Sequence, residues 1–185
     1  QIKKTKEANI YINVIQGLPK ADKMELIIQK CTELGVAEFT PLSLKRCIVK
    51  IDKKDEVKKV SRWQKLAETA AKQCGRNIIP KVNNIYNIQN IYEILKEYDI
   101  VLVAYENEKD NMLKTVLNKN QNKKDIKIAI IIGPEGGLEE NEIQLLNENK
   151  CNIISLGNRI LRTETVAFVM TSIIMYELGD LGGEI

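Results

Sequence analysis

Polar and apolar residues alternate over 9–15, Asn-Ile-Tyr-Ile-Asn-Val-Ile, the pattern of a half-buried strand. Gly17 and Pro19 end it. Over 21–34 the period changes. Met24, Ile27, Ile28, Cys31 and Leu34 recur on one face of a helix, with Asp22 and Glu25 at the N-terminal end and Gly35 as the stop. Residues 36–50 read as two short strands around Pro41. A long helix is predicted over 55–74, with Val60, Trp63, Leu66, Ala67, Ala70, Ala71 and Cys74 as its apolar positions and Gly75 as its end. Pro80 and an Asn-rich stretch follow, then a short helix over 88–97. Three later runs do not alternate: 100–104 (Ile-Val-Leu-Val-Ala), 128–132 (Ile-Ala-Ile-Ile-Ile) and 153–156 (Ile-Ile-Ser-Leu). Strands apolar on both faces mark a parallel sheet covered by helices, and helices over 139–148 and 164–178 supply that cover. Residues 106–127 are polar and rich in Asn and Lys, a surface helix with a loose loop. The fold class is α/β, a mainly parallel sheet covered by helices, without internal repeats.

Composition narrows the chemistry. The 185 residues contain no histidine, which removes His triads, His metal sites and imidazole proton shuttles. The formal charge of +3 is unevenly spread. Residues 1–76 carry 17 Lys and Arg against 9 Asp and Glu; residues 77–185 carry 11 against 16. A basic front section on an acidic remainder points to a polyanion partner. Cys31, Cys47, Cys74 and Cys151 form no Cys-x-x-Cys pair and no metal set; they read as small buried hydrophobes of a reducing compartment, and a cytoplasmic protein is expected. No apolar run spans a membrane and no signal peptide opens the chain. The start at Gln1, without Met, is that expected of a piece of a longer protein.

Two turns leave buried strands and enter helices. The first is Ile132-Gly133-Pro134-Glu135-Gly136-Gly137-Leu138. Its glycines let a ligand approach the backbone, and ligands of such sheets sit at the carboxyl ends of the strands. It is neither Gly-x-Gly-x-x-Gly nor a Walker loop, and Glu135 would repel a phosphate. The loop suits a neutral or cationic group, with a tight structural turn as the alternative. The second is Leu156-Gly157-Asn158-Arg159-Ile160-Leu161-Arg162-Thr163-Glu164-Thr165, with Thr163 as candidate N-cap and Glu164 in the first turn. Lysines outnumber arginines 23 to 5, so the two arginines here suggest a need for the planar guanidinium fork; a surface ion pair is the alternative.

Together these two turns resemble the 16S ribosomal RNA (uracil-N3)-methyltransferase family of the SPOUT superfamily. The resemblance extends through Gln16-Gly17-Leu18-Pro19-Lys20, Lys23-Met24-Glu25, Ile28-Gln29-Lys30, Glu33-Leu34-Gly35-Val36, Arg46-Cys47 and Trp63. It continues in Gln73-Cys74-Gly75-Arg76-Asn77, Pro80 and Gly179-Asp180-Leu181-Gly182. It implies a C-terminal trefoil knot, which general folding rules would not predict. It also implies S-adenosylmethionine bound in the knot, a homodimer, and small-subunit ribosomal RNA as substrate. An N-terminal PUA-like RNA-binding domain is implied too, of which residues 1–15 would be the tail and 16–185 the methyltransferase domain. A knotted module that binds RNA or cofactor without turnover is the alternative.

The resemblance and the strand ends point to the same cofactor segments: Ala104-Tyr105-Glu106; Ile132, Gly133, Pro134, Gly136 and Gly137; Leu156-Gly157, closed by Ile160 and Leu161. Methylation at uracil N3 requires loss of a proton. Glu135 and Glu164 are the carboxylate candidates for it, and Arg162 is the candidate to stabilise the uracil anion. For Glu164, a helix N-terminal acid interacting with the dipole is the alternative. Arg46, Lys50, Arg62, Lys72 and Arg76 are the candidate RNA contacts; helical spacing puts Lys58, Arg62 and Lys65 near one another, with Lys72 and Arg76 further along that side. A plain solvated face is the alternative. The helix over 164–178 is apolar nearly all round, which fits a subunit interface or a buried core helix. No membrane or metal partner is expected.

Overall fold

A computed structural model describes residues 7–121, 123 and 125–183. The strands are β1 (Tyr11–Gly17), β2 (Glu38–Ser43), β3 (Lys81–Val82), β4 (Tyr86–Asn87), β5 (Ile100–Ala104), β6 (Lys127–Ile132) and β7 (Asn152–Ile154). The helices are α1 (Lys23–Glu33), α2 (Lys53–Cys74), α3 (Ile91–Leu95), α4 (Leu113–Asn118), α5 (Glu140–Glu148) and α6 (Thr163–Glu177). Every strand pairing is parallel, and the order across the sheet is β3-β2-β1-β6-β5-β7, with β4 also paired to β2. The three non-alternating runs are β5, β6 and β7. β5 and β6 sit side by side in a core that buries Leu102, Val103, Ile128, Ile130 and Ile131 completely. α1 packs against both α2 and α6. Because all strands are parallel, the carboxyl ends of β1, β5, β6 and β7 open on the same side of the sheet.

Four expectations are corrected. β1 alternates in sequence, yet it lies between β2 and β6 and is buried on both faces. Its polar residues Asn13 and Gln16 point inward and find hydrogen-bond partners. Of the expected tail, residues 11–15 lie in β1 and residues 1–6 lie outside the described residues.

Residues 38–43 form one strand through Pro41 rather than two strands around it. Phe39 O accepts from Asn83 N–H (2.8 Å) on the β3 side, whereas Leu42 O accepts from Leu18 N–H (3.0 Å) on the β1 side. By alternation Pro41 faces as Phe39 does, where the partner of β2 changes from β3 to β4. No backbone donor is needed there, so proline is tolerated.

Thr163 is the first residue of α6 rather than its N-cap, and its hydroxyl is directed elsewhere. In the 106–127 stretch the helix is real but not purely surface. α4 buries Leu113, Val116 and Leu117; residues 122 and 124 of the expected loop lie outside the described residues.

Candidate functional site

The carboxyl ends of β5, β6 and β7 enclose a cavity of about 430 Å³. Its walls come from three segments: Ala104 to Glu106, Ile132 to Leu138 without Gly136, and Ser155 to Thr163, with Lys23 and Val166 completing it. These are the turns singled out in the sequence. The structure brings eleven of the twelve expected cofactor residues to this one cavity. Gly136 instead faces away, its carbonyl accepting from Arg46 Nη1 (3.0 Å).

Two glycines are required by the backbone. Gly137 has φ +71°, and a Cβ there would lie 2.7 Å from Glu106 Oε1. Gly157 has φ +109°, with open space where a Cβ would stand. Left-handed conformations of this kind are inexpensive only for glycine. The open backbone, the apolar side chains Ile132, Leu138, Leu156, Leu161 and Val166, and the carboxylates Glu106 and Glu135 suit a flat apolar group carrying a cation.

The candidate catalytic carboxylates are held by one lysine. Lys23 Nζ lies 3.1 Å from Glu135 Oε1 and 3.2 Å from Glu164 Oε2. Lys20 N–H also donates to Glu135 Oε1 (3.0 Å). Burial would raise the Glu135 pKa, but its own backbone amide, the Lys20 amide and Lys23 outweigh that and hold it below the usual carboxylate range. Lys23 is shifted upward in turn, chiefly by its hydrogen bond to Glu135. Glu164 stands behind Lys23 rather than on the cavity wall. Arg162 is exposed and does line the cavity, at the N-cap position of α6. Sequence reasoning assigned no role to Lys23, the first residue of α1, although Lys23-Met24-Glu25 is among the segments that carry the resemblance.

It also missed Gln16. This side chain is fully buried at the end of β1. Its amide Nε2 donates to Thr163 Oγ1 (2.8 Å) and Gly17 O (2.9 Å), and Thr163 Oγ1 donates to Gly133 O (2.7 Å).

The basic segment after β2 abuts the cavity loop. Besides the Arg46–Gly136 bond, Lys45 N–H donates to Glu142 Oε1 (3.0 Å), and Glu142 Oε2 accepts from Glu139 N–H (2.9 Å) in the capping box of α5. Lys50, Lys58, Lys59, Arg62 and Lys65 are exposed. Arg62 also pairs with Glu25 (2.8 Å), and Lys72 with Glu68 (2.7 Å). Arg76 departs from this face. It lies beyond Gly75, whose left-handed conformation turns the chain off the helix axis. Its guanidinium, 7% exposed, pairs with Glu7 (2.7 Å) and donates to Thr32 O and Val36 O. With four of its five guanidinium N–H groups committed inside, Arg76 fastens residue 7 to the end of α1.

All four cysteines are free, and three are buried. Burial pushes the Cys31 thiol up to about 12 and the Cys151 thiol up to about 11. Among the described residues no cluster of acidic, Cys or His side chains is placed to hold a metal, and no helix is long and apolar enough to cross a membrane.

Comparison with known proteins gives a consistent set. Residues 6–175 match the family model described as an RNA methyltransferase domain. The chain is 38% identical over 181 residues to the ribosomal RNA small subunit methyltransferase E of Bacillus subtilis, covering 97% of this chain and 71% of that protein. It is 35% identical over 175 residues to the protein of that name from Mesomycoplasma hyopneumoniae, covering 94% of this chain and 74% of the relative. A crystal structure of a ribosomal RNA small subunit methyltransferase E from Neisseria gonorrhoeae, bound to S-adenosyl methionine, superposes with a TM-score of 0.81 at 31% identity; the match covers 95% of this chain and 69% of that one. A Legionella pneumophila methyltransferase in complex with the bound cofactor SAM gives a TM-score of 0.87 at 34% identity, covering 96% and 70%.

Proposed function

The chain belongs to the RNA methyltransferase family, and on that premise we propose that it methylates uracil N3 in small-subunit ribosomal RNA with S-adenosylmethionine as donor. The observation that carries this reading is the cavity at the carboxyl ends of β5, β6 and β7, lined by the two glycine turns and by Arg162. In this reading the segment from β7 to α6 forms part of the trefoil knot that the resemblance implies. When bound, the cofactor supplies an electrophilic methyl group on a sulfonium. The walls at Ile132, Leu138, Leu156 and Leu161 exclude water from it, and Glu106 and Glu135 balance its positive charge.

Arg162 stands where a uracil entering the cavity mouth would meet it, and its guanidinium stabilises the developing N3 anion. Alignment of the attacking nitrogen with the methyl group supplies much of the acceleration. Glu135 is held ionised by Lys23 and two backbone amides, so it acts through charge rather than as a strong base. The N3 proton goes to solvent or water. The exposed cations of Arg46, Lys50, Lys58, Arg62 and Lys65 follow the RNA backbone.

The outer face of α6 carries Phe168, Val169, Ile173 and Tyr176 at helical spacing, with Tyr176 67% exposed. A second copy of the chain covers it, making a homodimer, and the enzyme acts in the cytoplasm where ribosomal subunits mature. Sedimentation at micromolar concentration should give the dimer; a monomer there would count against it.

Two measurements test the activity. Calorimetry should show saturable S-adenosylmethionine binding to the chain. Nucleoside mass spectrometry of 30S subunits treated with the enzyme should reveal 3-methyluridine in 16S RNA. RNA affinity should fall steeply as salt rises, and charge removal at Lys58, Arg62 and Lys65 should lower the logarithmic salt slope by about one unit per lost phosphate contact. Methyl transfer to protein or to another base would overturn the substrate assignment.

A further inference from the structure

We propose that Gln16 is a positioning residue that locks the cofactor loop to the start of α6, and so sets both cofactor affinity and the placement of Arg162. The inference rests on the cofactor reading above. Gln16 is not itself on the cavity wall, whereas Gly133 and Thr163 are.

The lock joins three segments far apart in sequence. Gln16 and Thr163 are 147 residues apart, Gln16 and Gly133 117, and Gly133 and Thr163 30, so no local turn chemistry can fix their mutual geometry. The bonding order is determined by proton count. Thr163 gives its single hydroxyl hydrogen to Gly133 O (2.7 Å), so toward Gln16 it can only accept. That selects the Nε2 end of the amide (2.8 Å). The second Nε2 hydrogen serves Gly17 O at 2.9 Å, and Gly133 O lies 3.4 Å from the same nitrogen. The Gly133 carbonyl is therefore held from two sides. Below it β1 presses directly on the loop, since a Cβ at Gly17 would lie 2.7 Å from Pro134 Cδ.

The other end of the amide shows that packing stability alone does not explain it. Gln16 Oε1 is buried and has no hydrogen-bond partner among the described residues. A buried acceptor left unpaired carries a desolvation cost that an apolar side chain of similar size would avoid. Thr32 Oγ1 and Tyr92 OH are also buried without a partner among the described residues, but of these three side chains only Gln16 reaches two cavity-wall segments, and control of a site explains an exception so placed. Here the amide gives orientation to the loop at the expense of its own oxygen. Arg162 is the residue immediately before Thr163, so the same lock holds its backbone at the cavity mouth.

The test uses S-adenosylmethionine calorimetry and single-turnover kinetics on Gln16→Leu, Thr163→Val, Thr163→Ser and the Gln16→Leu/Thr163→Val pair. Each of the first two variants should weaken cofactor binding about tenfold, the size of one lost buried hydrogen bond, and slow methyl transfer at saturating cofactor. Thr163→Ser keeps the hydroxyl and should recover most of the affinity that Thr163→Val loses. The double variant should be no worse than either single one, because the residues act as a unit. A lowered melting temperature with unchanged cofactor affinity in folded protein would reduce Gln16 to a structural role and overturn the proposal. Additive losses would do the same. Should Gln16→Leu fail to fold, the Thr163→Val and Thr163→Ser contrast decides alone, and failure of both Gln16→Leu and Thr163→Val to fold would also overturn it. If wild-type protein binds no S-adenosylmethionine, the cofactor reading itself fails; wild-type binding with indifferent variants refutes the lock only.

Discussion

β1 carries two buried side-chain amides three residues apart, and they end in opposite circumstances. Asn13 belongs to a closed network. Its Nδ2 donates to Thr40 Oγ1 (3.0 Å) and Tyr98 OH (2.8 Å), and its Oδ1 accepts from Thr40 Oγ1 (3.1 Å). Around it Glu38 accepts from Tyr98 OH (2.7 Å), Tyr11 OH (3.1 Å) and Asn83 Nδ2 (2.7 Å). Gln16, on the opposite face by strand alternation, reaches the cavity loop, and its oxygen has no partner among the described residues. A buried polar network with its partners in place rigidifies a core, while one left partly open is costly unless it serves a site. The same strand thus separates stability from function over three residues.

The largest effect expected at the open end comes from Arg162. Arg162→Ala should lower turnover about hundredfold at saturating cofactor, the scale of losing one preorganised anion-stabilising donor. Cofactor affinity should stay close to wild type, because Arg162 is exposed at the mouth and the apolar walls are untouched. Near-wild-type turnover would remove Arg162 from the chemistry.

The closed end should respond in stability instead. Glu38→Ala leaves two tyrosine hydroxyls without their acceptor and the Asn83 amide with Thr40 Oγ1 alone, and should cost about 3 kcal/mol in denaturant unfolding. S-adenosylmethionine affinity of the folded protein should not change. A large loss of affinity would erase the contrast between the two ends.

A smaller, pH-dependent effect sharpens the same point. Burial, then the charge of Glu38, pushes the Tyr11 hydroxyl up to about 12. Tyr98 is raised further by burial and by its hydrogen bond to Glu38. Both hydroxyls are favoured in their protonated form by folding. Their contribution is therefore complete below the ordinary tyrosine value of about 10 and is lost as pH rises through the folded values. Besides Tyr92, which burial also raises, alkaline titration followed by tyrosinate absorbance should show Tyr11 and Tyr98 ionising late among the six tyrosines. Glu38→Gln should bring both down.

The parts of this architecture that were legible in sequence are those with one dominant local cause. β5 and β6 read clearly because a strand covered on both faces must be apolar throughout. Gly75 announced the end of α2 because its left-handed conformation favours glycine. What escaped depends on contacts between distant segments. Asn13 looks solvent-facing in the alternating run and Gln16 lies just beyond it, and contacts with Thr40, Tyr98 and Thr163 make their burial tolerable. Thr163 has the ideal composition for an N-cap, yet the Gly133 carbonyl takes its proton. Arg76 continues the basic spacing of α2, but the turn at Gly75 carries it inward to Glu7. At the cavity, the wall segments were readable from glycines at strand ends, whereas Lys23 and the Gln16 lock were not.

The smallest expected effect concerns Glu135, and it completes the contrast by showing what a paired carboxylate at the open end does not do. Its carboxyl sits below the usual range because its own amide, the Lys20 amide and Lys23 together outweigh burial. A depressed carboxylate contributes stability above its unfolded value of about 4.3, and that contribution is lost as pH falls through the folded value. It is partly exposed, so solvent screening keeps the contribution small. Across the neutral range Glu135 is already ionised, and it changes protonation only in acid. Removing a true general base costs roughly a hundredfold or more, whereas Glu135→Gln should retain turnover within about threefold. It should also leave the pH dependence between about 6 and 8 unaltered, since no group in that range is removed. A hundredfold loss with a new pH dependence would return the proton to Glu135, and Lys23 would then be the residue that tunes it.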